Sequence, residues 1–304
     1  MTIGDPYSRD AAVSGRSVAV SLRCAPVRYE AGDPALERFR RNWLVSGIGE
    51  AGQARLAAAR VLVVGAGGLG SPVLLYLTAA GVGTIGICDS DVVEVSNLQR
   101  QLLHGEADVG DAKPDSAVRH LSALNSGVRF ERYGHVSRDW LEQYGREWDL
   151  IVECTDSFDA KYLVADYCAD CGVPLVWGTV VRMAYQVSVF WSGAPAPVPS
   201  LTLRSLHPVK PAPGTTPASP QVGVLGPVVG QAGTAMATEV IKVLVGVGEP
   251  LIGRVLTVDA ATQRADVLTF APWGERRGIV WGSDVGRVFF PCADRWDGGR
   301  RRGR

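Results

Sequence analysis

A glycine-rich turn between an apolar run and a helical segment constrains the fold of this chain more than any other feature. The run "RVLVVGAG" is β-branched and ends in glycines, which is typical of a buried parallel strand. The segment "LGSPVLLYLTAAGV" then has the composition of a helix that stops at Gly81. Gly65, Gly67 and Gly70 satisfy the pattern G-x-G-x-x-G between the two. Such a turn favours nucleotide phosphates, although the glycines could instead serve tight strand–helix packing alone.

Strand-like and helix-like segments alternate through most of the remaining sequence. The predicted strands are "TIGICD", "VRFERYG", "WDLIVECTD", "PLVWGTV" and the extra strand "YQVSVFW", with helices such as "PDSAVRHLSALN" and "FDAKYLVADYCADCG" between them. This alternation predicts an α/β domain with a doubly wound, mostly parallel, Rossmann-like sheet that is covered on both faces. The segment "GRVLTVDAATQRADVLTF" predicts a C-terminal hairpin.

The domain boundaries follow changes in composition. Residues 1–33 are rich in Gly, Ser, Ala and Pro and are predicted to be a flexible leader. Residues 34–272 form the predicted domain, with a Pro- and Ser-rich crossover loop at about 192–227 that is expected to be a functional lid or disordered. Residues 273–304 are a C-terminal extension whose basic tail, "GGRRRGR", is predicted to be a solvated end rather than a nucleic-acid site.

The amino-acid composition indicates which kinds of partner and which cellular compartment to expect. With 46% hydrophobic residues, 20% charged residues and a formal net charge of zero, the chain reads as a soluble globular protein without nucleic-acid or membrane partners. No apolar run was expected to approach the roughly 18 to 20 residues that span a bilayer, and no signal peptide is recognisable. Six cysteines scattered through apolar or helical contexts fit reduced thiols, so we predict a cytoplasmic protein.

A carboxylate and a basic run follow the glycine turn. Asp89 closes the second strand, at the distance where an acidic residue accepts hydrogen bonds from a ribose hydroxyl. The run "SNLQRQ" brings Arg100, and Lys113 follows shortly. Taken alone, either cation would be a solvated surface charge. Together with the turn they favour ATP over a nicotinamide dinucleotide, because a triphosphate with Mg²⁺ carries more charge to neutralise.

A second carboxylate stands at the end of the fourth strand, in "CTDSFD". Ligands of open α/β sheets collect outside the carboxyl ends of the strands, so Asp156 is placed to face the site and to hold Mg²⁺. The alternative is that Asp156 caps the helix that follows.

Several of these segments together resemble one known family. The stretch from "ERFRRN" through "VLVVGAGGLG" to "GDAKPDSA", with "DSFDAKYLVADYC", "GVPLVWG", "GVLGPVVG" and "GEPLIGRVLTVD", resembles the ThiF/MoeB adenylyltransferases, relatives of ubiquitin-activating enzymes. The similarity runs from about residue 37 to residue 270. It implies ATP-dependent activation of the C-terminal Gly-Gly carboxylate of a ubiquitin-like sulfur-carrier protein. Pyrophosphate leaves, and a sulfur donor of unknown identity then converts the acyl-adenylate to a thiocarboxylate.

The resemblance also assigns roles to residues. It implies catalytic roles for Arg41, Arg100, Lys113 and Asp156, with Asp156 associated with Mg²⁺. Arg41 matches an arginine that the family sends into the partner subunit's site, which implies a homodimer, and Arg38 could support it. The alternative for both arginines is an exposed helix face. The nucleotide-binding set that the resemblance implies is Gly65, Gly67, Gly68, Asp89, Asp91, Ser96, Asn97, Leu98, Gln99, Arg100, Gln101, Lys113, Asp156 and Ser157.

The sequence departs from the family at its zinc and sulfur positions. Thr202 and Ser205 stand where the family commonly has the first zinc-binding cysteine pair, and "APWGERRG" lacks the second, so we predict no structural zinc. Cys168 and Cys171 form a Cys-x-x-Cys on a core helix, where a zinc or redox role is not expected. Some members of the family use a cysteine on the crossover loop, and Ser219 stands at or next to that position, which argues against covalent sulfur relay there but not against adenylation.

Three other functions stay open at this stage. The same adenylation could act on a peptide C-terminus or on a small carboxylate in a specialised pathway. A nicotinamide-dependent oxidoreductase would share the glycine turn, but none of His104, His120, His135 and His207 stands out as an acid for hydride transfer. The chain could also be a non-catalytic scaffold, although it keeps Arg100, Lys113 and Asp156.

Overall fold

The described residues of the computed structural model, 17–29, 33–212 and 222–271, form one sheet of eight strands in the order β3-β2-β1-β4-β5-β6-β7-β8. The first five strands run parallel and the last three pair antiparallel. The predicted doubly wound, mostly parallel sheet is confirmed, and the antiparallel pairing of β7 with β8 confirms the hairpin. The strands are β1 (Arg60–Val64), β2 (Thr84–Cys88), β3 (Arg129–Tyr133), β4 (Leu150–Glu153), β5 (Leu175–Val181), β6 (Ala184–Phe190), β7 (Arg254–Asp259) and β8 (Arg264–Thr269).

Helices cover both faces of the sheet. In β1, Val61 and Val63 join the apolar cluster that includes α3 (Gly70–Ala80) and α8 (Gly226–Val245). Leu62 and Val64 join the cluster that includes α6 (Phe158–Cys171). A strand buried on both faces has no polar alternation, which explains why "RVLVV" is continuously apolar. The helices are α1 (Pro34–Trp43), α2 (Gly49–Ala58), α3 (Gly70–Ala80), α4 (Lys113–Leu124), α5 (Arg138–Tyr144), α6 (Phe158–Cys171), α7 (Leu203–Leu206) and α8 (Gly226–Val245).

Part of the predicted flexible leader packs on the core. Val18 and Val20 are each 7% exposed and belong to the apolar cluster of α8, and the backbone N–H of Val20 donates to the carbonyl oxygen of Val243 at 3.0 Å. The N–H of Arg23 donates to the buried carboxylate of Asp149 at 2.8 Å. The prediction of a loose leader is therefore wrong for residues 17–29, because a short alternating apolar stretch finds a partner surface. Residues 1–16 lie outside the described part of the chain.

Helix α8 corrects the expectation that no apolar run is long enough to cross a membrane. By length and composition its 20 residues would suffice, and 56% of its most apolar window is buried inside the domain. Val240 and Val243 of α8 are fully buried. The apolar composition of this helix is accounted for by its position in the core.

The crossover region is described only in part. Residues 192–212 contain the short helix α7, and the chain resumes at residue 222 shortly before α8. Ser219 and residues 273–304, with the predicted basic tail, lie outside the described residues.

Candidate active site

A cavity of about 1400 Å³ opens at the carboxyl ends of the parallel strands. This is the edge of the sheet where ligands of open α/β domains bind. Most of the predicted nucleotide-binding residues line it. They are Gly65, Gly67, Gly68, Asp89, Asp91, Asn97, Arg100, Gln101, Lys113, Asp156 and Ser157.

Four of the predicted residues do not line the cavity. Ser96, Leu98 and Gln99 flank Asn97 around a short 3₁₀ turn, and the carbonyl oxygen of Ser96 accepts a hydrogen bond from Arg100 Nη1 at 3.0 Å. These neighbours shape the turn that presents Asn97 and Arg100. Arg41 lies on α1, where its side chain is exposed and outside the cavity of its own chain.

The glycine turn serves both close packing and ligand access. Gly65 has φ +99°, and a Cβ there would come within 2.9 Å of the Cys154 carbonyl. A Cβ on Gly70 would lie only 2.0 Å from the carbonyl oxygen of Gly65. Backbone contacts therefore account for Gly65 and Gly70, and a Cβ on Gly68 would lie 2.8 Å from the Val229 side chain. Gly65, Gly67 and Gly68 also line the cavity.

Asp89 joins the second strand to this turn. One carboxylate oxygen accepts the N–H of Ala66 at 2.7 Å, and the other accepts the N–H of Asp91 at 2.8 Å. Each oxygen keeps a lone pair for a further donor, such as a ribose hydroxyl. Asp89 thus organises the loop and still faces the cavity.

Two cations stand beside the glycine turn. The Lys113 side chain is 7% exposed, and its Nζ lies 2.8 Å from Oδ2 of Asp91, which is 69% exposed. The Cγ and Cδ atoms of Arg100 lie 3.7 Å from where a Cβ on Gly68 would be. Arg100 and Lys113 therefore line the same cavity as the glycine turn.

His104 is a supporting residue that sequence reasoning placed only at a helix end. Its Nε2 lies 3.0 Å from the carbonyl oxygen of Ala66, so this nitrogen carries the proton and donates. Nδ1 lies 2.8 Å from Ser116 Oγ and accepts from it. Burial lowers the pKa of His104 and keeps the ring neutral, so it fixes the turn without adding charge.

Asp156 is exposed to the cavity just after β4. The N-cap of α6 is Ser157, whose Oγ accepts the N–H of Ala160 at 3.5 Å. The alternative that Asp156 caps the helix is therefore wrong, and its carboxylate stays available to a cation. Beneath it, Glu153 is completely buried against Lys161, at 2.6 Å between Oε2 and Nζ. This pair was not predicted from the sequence, because Glu153 is the last residue of an otherwise apolar strand segment.

The cavity extends beyond the predicted set toward the crossover region. Thr179 and Arg182 at the end of β5, with His207 and Lys210, line this part. Tyr162 Oη donates to the carbonyl oxygen of His207 at 3.0 Å, which ties the segment to α6. Burial lowers the pKa of His207 to about 3.

The zinc position of the family does not fit zinc here. The N–H of Thr202 donates to Ser205 Oγ at 3.2 Å where α7 begins, and hydroxyls are poor zinc ligands. Within residues 17–29, 33–212 and 222–271, no group of three or more His, Cys, Asp or Glu side chains could hold a metal. Cys168 is buried and burial raises its thiol pKa well above the usual range, which disfavours the thiolate that zinc binds.

Comparison with known proteins finds relatives that are more than 40% identical to this chain. It is 46% identical over 224 residues to the probable adenylyltransferase/sulfurtransferase MoeZ of Mycobacterium tuberculosis, covering 73% of this chain and 57% of that protein. It is 42% identical over 226 residues to the sulfur carrier protein adenylyltransferase of Thermus thermophilus, covering 74% and 83%. The chain thus spans little more than half of the length of MoeZ.

Comparison with solved structures supports the observed fold. A crystal structure of E. coli MccB superposes with a TM-score of 0.68 at 23% identity, covering 80% of this chain and 71% of that one. Residues 39–276 match the sequence profile of the ThiF family. With this match over most of its length, and with relatives above 40% identity, the chain belongs to the ThiF family.

Proposed function

We propose that this protein is an ATP-dependent adenylyltransferase that activates the C-terminal Gly-Gly carboxylate of a ubiquitin-like sulfur-carrier protein. The observation that carries the proposal is the meeting of the glycine turn, Arg100, Lys113 and Asp156 in one cavity. The name of the T. thermophilus relative, a sulfur carrier protein adenylyltransferase, supports the choice of acceptor.

The chemistry asks mainly for alignment and charge neutralisation. The acceptor carboxylate attacks the α-phosphorus of ATP, a new P–O bond forms, and the bond to the bridging oxygen breaks as pyrophosphate leaves. Arg100 and Lys113 flank the glycine turn, so both can offset negative charge on the phosphates as it shifts. Asp156 would hold Mg²⁺, a hard cation that commonly uses one or two carboxylates together with substrate phosphates. The ion would supply further charge neutralisation.

The size of the cavity favours two reactants over one. Sites for single small molecules are commonly about 300–1000 Å³, whereas this cavity reaches about 1400 Å³. The part near Thr179, Arg182 and Lys210 lies beyond the predicted nucleotide set and leaves room for an extended C-terminal tail. A small carboxylate would leave this part empty, so a protein tail is the favoured acceptor.

The proposal includes a homodimer with Arg41 acting across the interface. Arg41 is exposed and forms no ion pair with the described residues of its own chain. It also lies outside that chain's cavity, which suits a residue used by a second copy. A cytoplasmic location stays a prediction, and the sulfur donor stays unnamed.

ATP–pyrophosphate exchange tests the proposal directly. Exchange should require Mg²⁺ and a carrier protein that ends in Gly-Gly, and a carrier truncated by its last glycine should not support it. Arg100→Ala should lower exchange by about 100-fold or more, because it removes a cation at the developing charge. Arg264→Ala is the matched control, since Arg264 lies on β8 at the far edge of the sheet and pairs with Asp266.

The alternatives predict different results. Unchanged exchange in Arg100→Ala would remove this arginine from the mechanism. Exchange supported equally by short peptides would favour the peptide acceptor, and stabilisation by NAD but not by ATP would favour the oxidoreductase. Carrier binding without any exchange would identify a scaffold.

A further inference from the structure

A buried ion pair beneath Asp156 has no role in the mechanism above. Glu153 ends β4 with its side chain 0% exposed, and Lys161 lies one turn into α6 with its side chain 6% exposed. Their charged atoms are 2.6 Å apart. Glu153 does not line the cavity and cannot touch a substrate, whereas Lys161 lines the cavity but donates to Glu153 and to the carbonyl oxygen of Gly178.

The Glu153 carboxylate joins four elements. Oε1 accepts the N–H of Thr155 at 2.7 Å and also the Thr155 hydroxyl, while Oε2 accepts from Lys161. Lys161 Nζ donates a second hydrogen bond, at 2.9 Å, to the carbonyl oxygen of Gly178 in β5. The carboxylate therefore connects β4, the loop after it and α6, and Lys161 extends the connection to β5.

A gain in folding stability does not explain why this buried ion pair is present. Removing two charges from water costs about as much as their attraction returns, and apolar residues of similar volume often stabilise a core equally well. What the pair does uniquely is to fix the loop backbone. Thr155 is held by Glu153 on one side of Asp156, and Ser157 is held as the N-cap of α6 on the other.

We propose that Glu153 and Lys161 are positioning residues that hold the Asp156 carboxylate where it receives the Mg²⁺ of the bound nucleotide. The identity of the ion rests on the proposed function. The pair acts through Thr155, as outer partners of metal ligands do when they orient the ligand.

The test removes both charges together, so that no unpaired charge is left in the core. The double variant Glu153→Met/Lys161→Met keeps the side-chain volumes approximately and removes the acceptor that holds Thr155. The matched control is Glu239→Met/Lys242→Met, because this pair lies on α8 with side chains only 6% and 21% exposed. Calorimetry on the full chain then measures binding of a non-hydrolysable ATP analogue across a Mg²⁺ titration.

We expect the Mg²⁺ concentration at half-saturation to rise about 10- to 100-fold in the Glu153/Lys161 double variant. Analogue binding without Mg²⁺ should stay at the parent value, and the control variant should match the parent in both. Where exchange is measured, kcat should fall while KM for ATP in saturating Mg²⁺ stays close to the parent value.

Three results would overturn the inference. They are a folded double variant with parental Mg²⁺ dependence, equal weakening with and without Mg²⁺, and a parent chain that binds the analogue independently of Mg²⁺. If thermal unfolding shows that the double variant does not fold, Thr155→Val replaces it, since it removes only the hydroxyl bond to Glu153. A weakened response to Mg²⁺ then supports the inference and an unchanged one overturns it.

The readout also separates this inference from the proposed function. A parent chain without carrier-dependent exchange would defeat the proposed acceptor. The dependence of Mg²⁺–nucleotide binding on Glu153 and Lys161 would be measured in the same way.

Discussion

At the scale of single residues, two glycines of the turn are fixed by their contacts rather than by the ligand. Gly70 leaves no space for a side chain, because a Cβ would lie 2.0 Å from the carbonyl oxygen of Gly65. The added atom would displace the backbone on which the phosphates are proposed to rest. A shift of about 1 Å in such a site can cost about 100-fold in function.

We therefore expect Gly70→Ala to weaken binding of an ATP analogue by about 100-fold in calorimetry. Gly230→Ala is the matched control, because a Cβ at this position in α8 meets nothing within 4 Å. The control should bind normally and gain about 0.5–1 kcal/mol in free energy of unfolding. Equal affinity in Gly70→Ala would mean that the turn does not contact the nucleotide.

His207 makes folding sensitive to acid. Its folded-state pKa is about 3, below the usual value near 6.5, because burial disfavours the charged ring. The unfolded chain thus takes up a proton below about pH 6.5 while the folded chain does not. This contribution is fully present above pH 6.5 and is lost as the pH falls toward 3.

From His207 alone, the free energy of unfolding should fall by about 2 kcal/mol between pH 7 and pH 5. Urea unfolding of His207→Gln should show a correspondingly smaller fall than unfolding of the parent chain. Identical pH dependence in His207→Gln and the parent would show that His207 does not resist protonation in the fold. The lowered pKa of His104 acts in the same direction.

At the scale of elements, the segment 17–29 behaves as part of the domain. Val20 packs with α8 at 7% exposure, whereas Val27 is 40% exposed. A valine side chain is therefore buried at one position of this short segment and exposed at another. Truncation removes packing only at the buried position.

Val20→Ala should lower the free energy of unfolding by about 1–3 kcal/mol in chemical denaturation. Val27→Ala should change it by less than about 0.5 kcal/mol. If the two variants are equally stable, the segment does not contribute to the core.

The sequence could predict those elements in which the local residue pattern shows which side chains are buried. The glycine turn, Asp89 and Lys113 follow from spacing along β1, β2 and α4. Glu153 could not be found in this way, because its partners come from a loop, a helix and a neighbouring strand that only folding brings together. Val18 and Val20 were missed because their alternation is too short to stand out among Gly, Ser and Pro.

At the scale of the whole molecule, the proposed function requires a dimer to complete each site. Each cavity has its own Arg100 but would take Arg41 from the second copy. A mixture of two inactive variants can then regain function, because one mixed dimer contains one intact site.

An equal mixture of Arg41→Ala and Arg100→Ala chains, refolded together, should recover about a quarter of parental exchange. Half of the dimers are then mixed, and each mixed dimer has one intact site of two. Exchange by each variant refolded alone provides the baseline. Recovery no greater than this baseline would place Arg41 in its own chain's site or outside the mechanism.

Lys113 already contacts one anion, the carboxylate of Asp91, before a triphosphate binds. The ammonium already rests 2.8 Å from a carboxylate, so an incoming phosphate competes with that carboxylate for Lys113. Asp91 can return to water easily because it is 69% exposed, whereas Lys113 at 7% cannot. The protein thereby keeps a shielded cation neutralised between turnovers. A triphosphate, which carries several negative charges, is therefore expected to compete with Asp91 for Lys113 more effectively than a monovalent anion such as chloride.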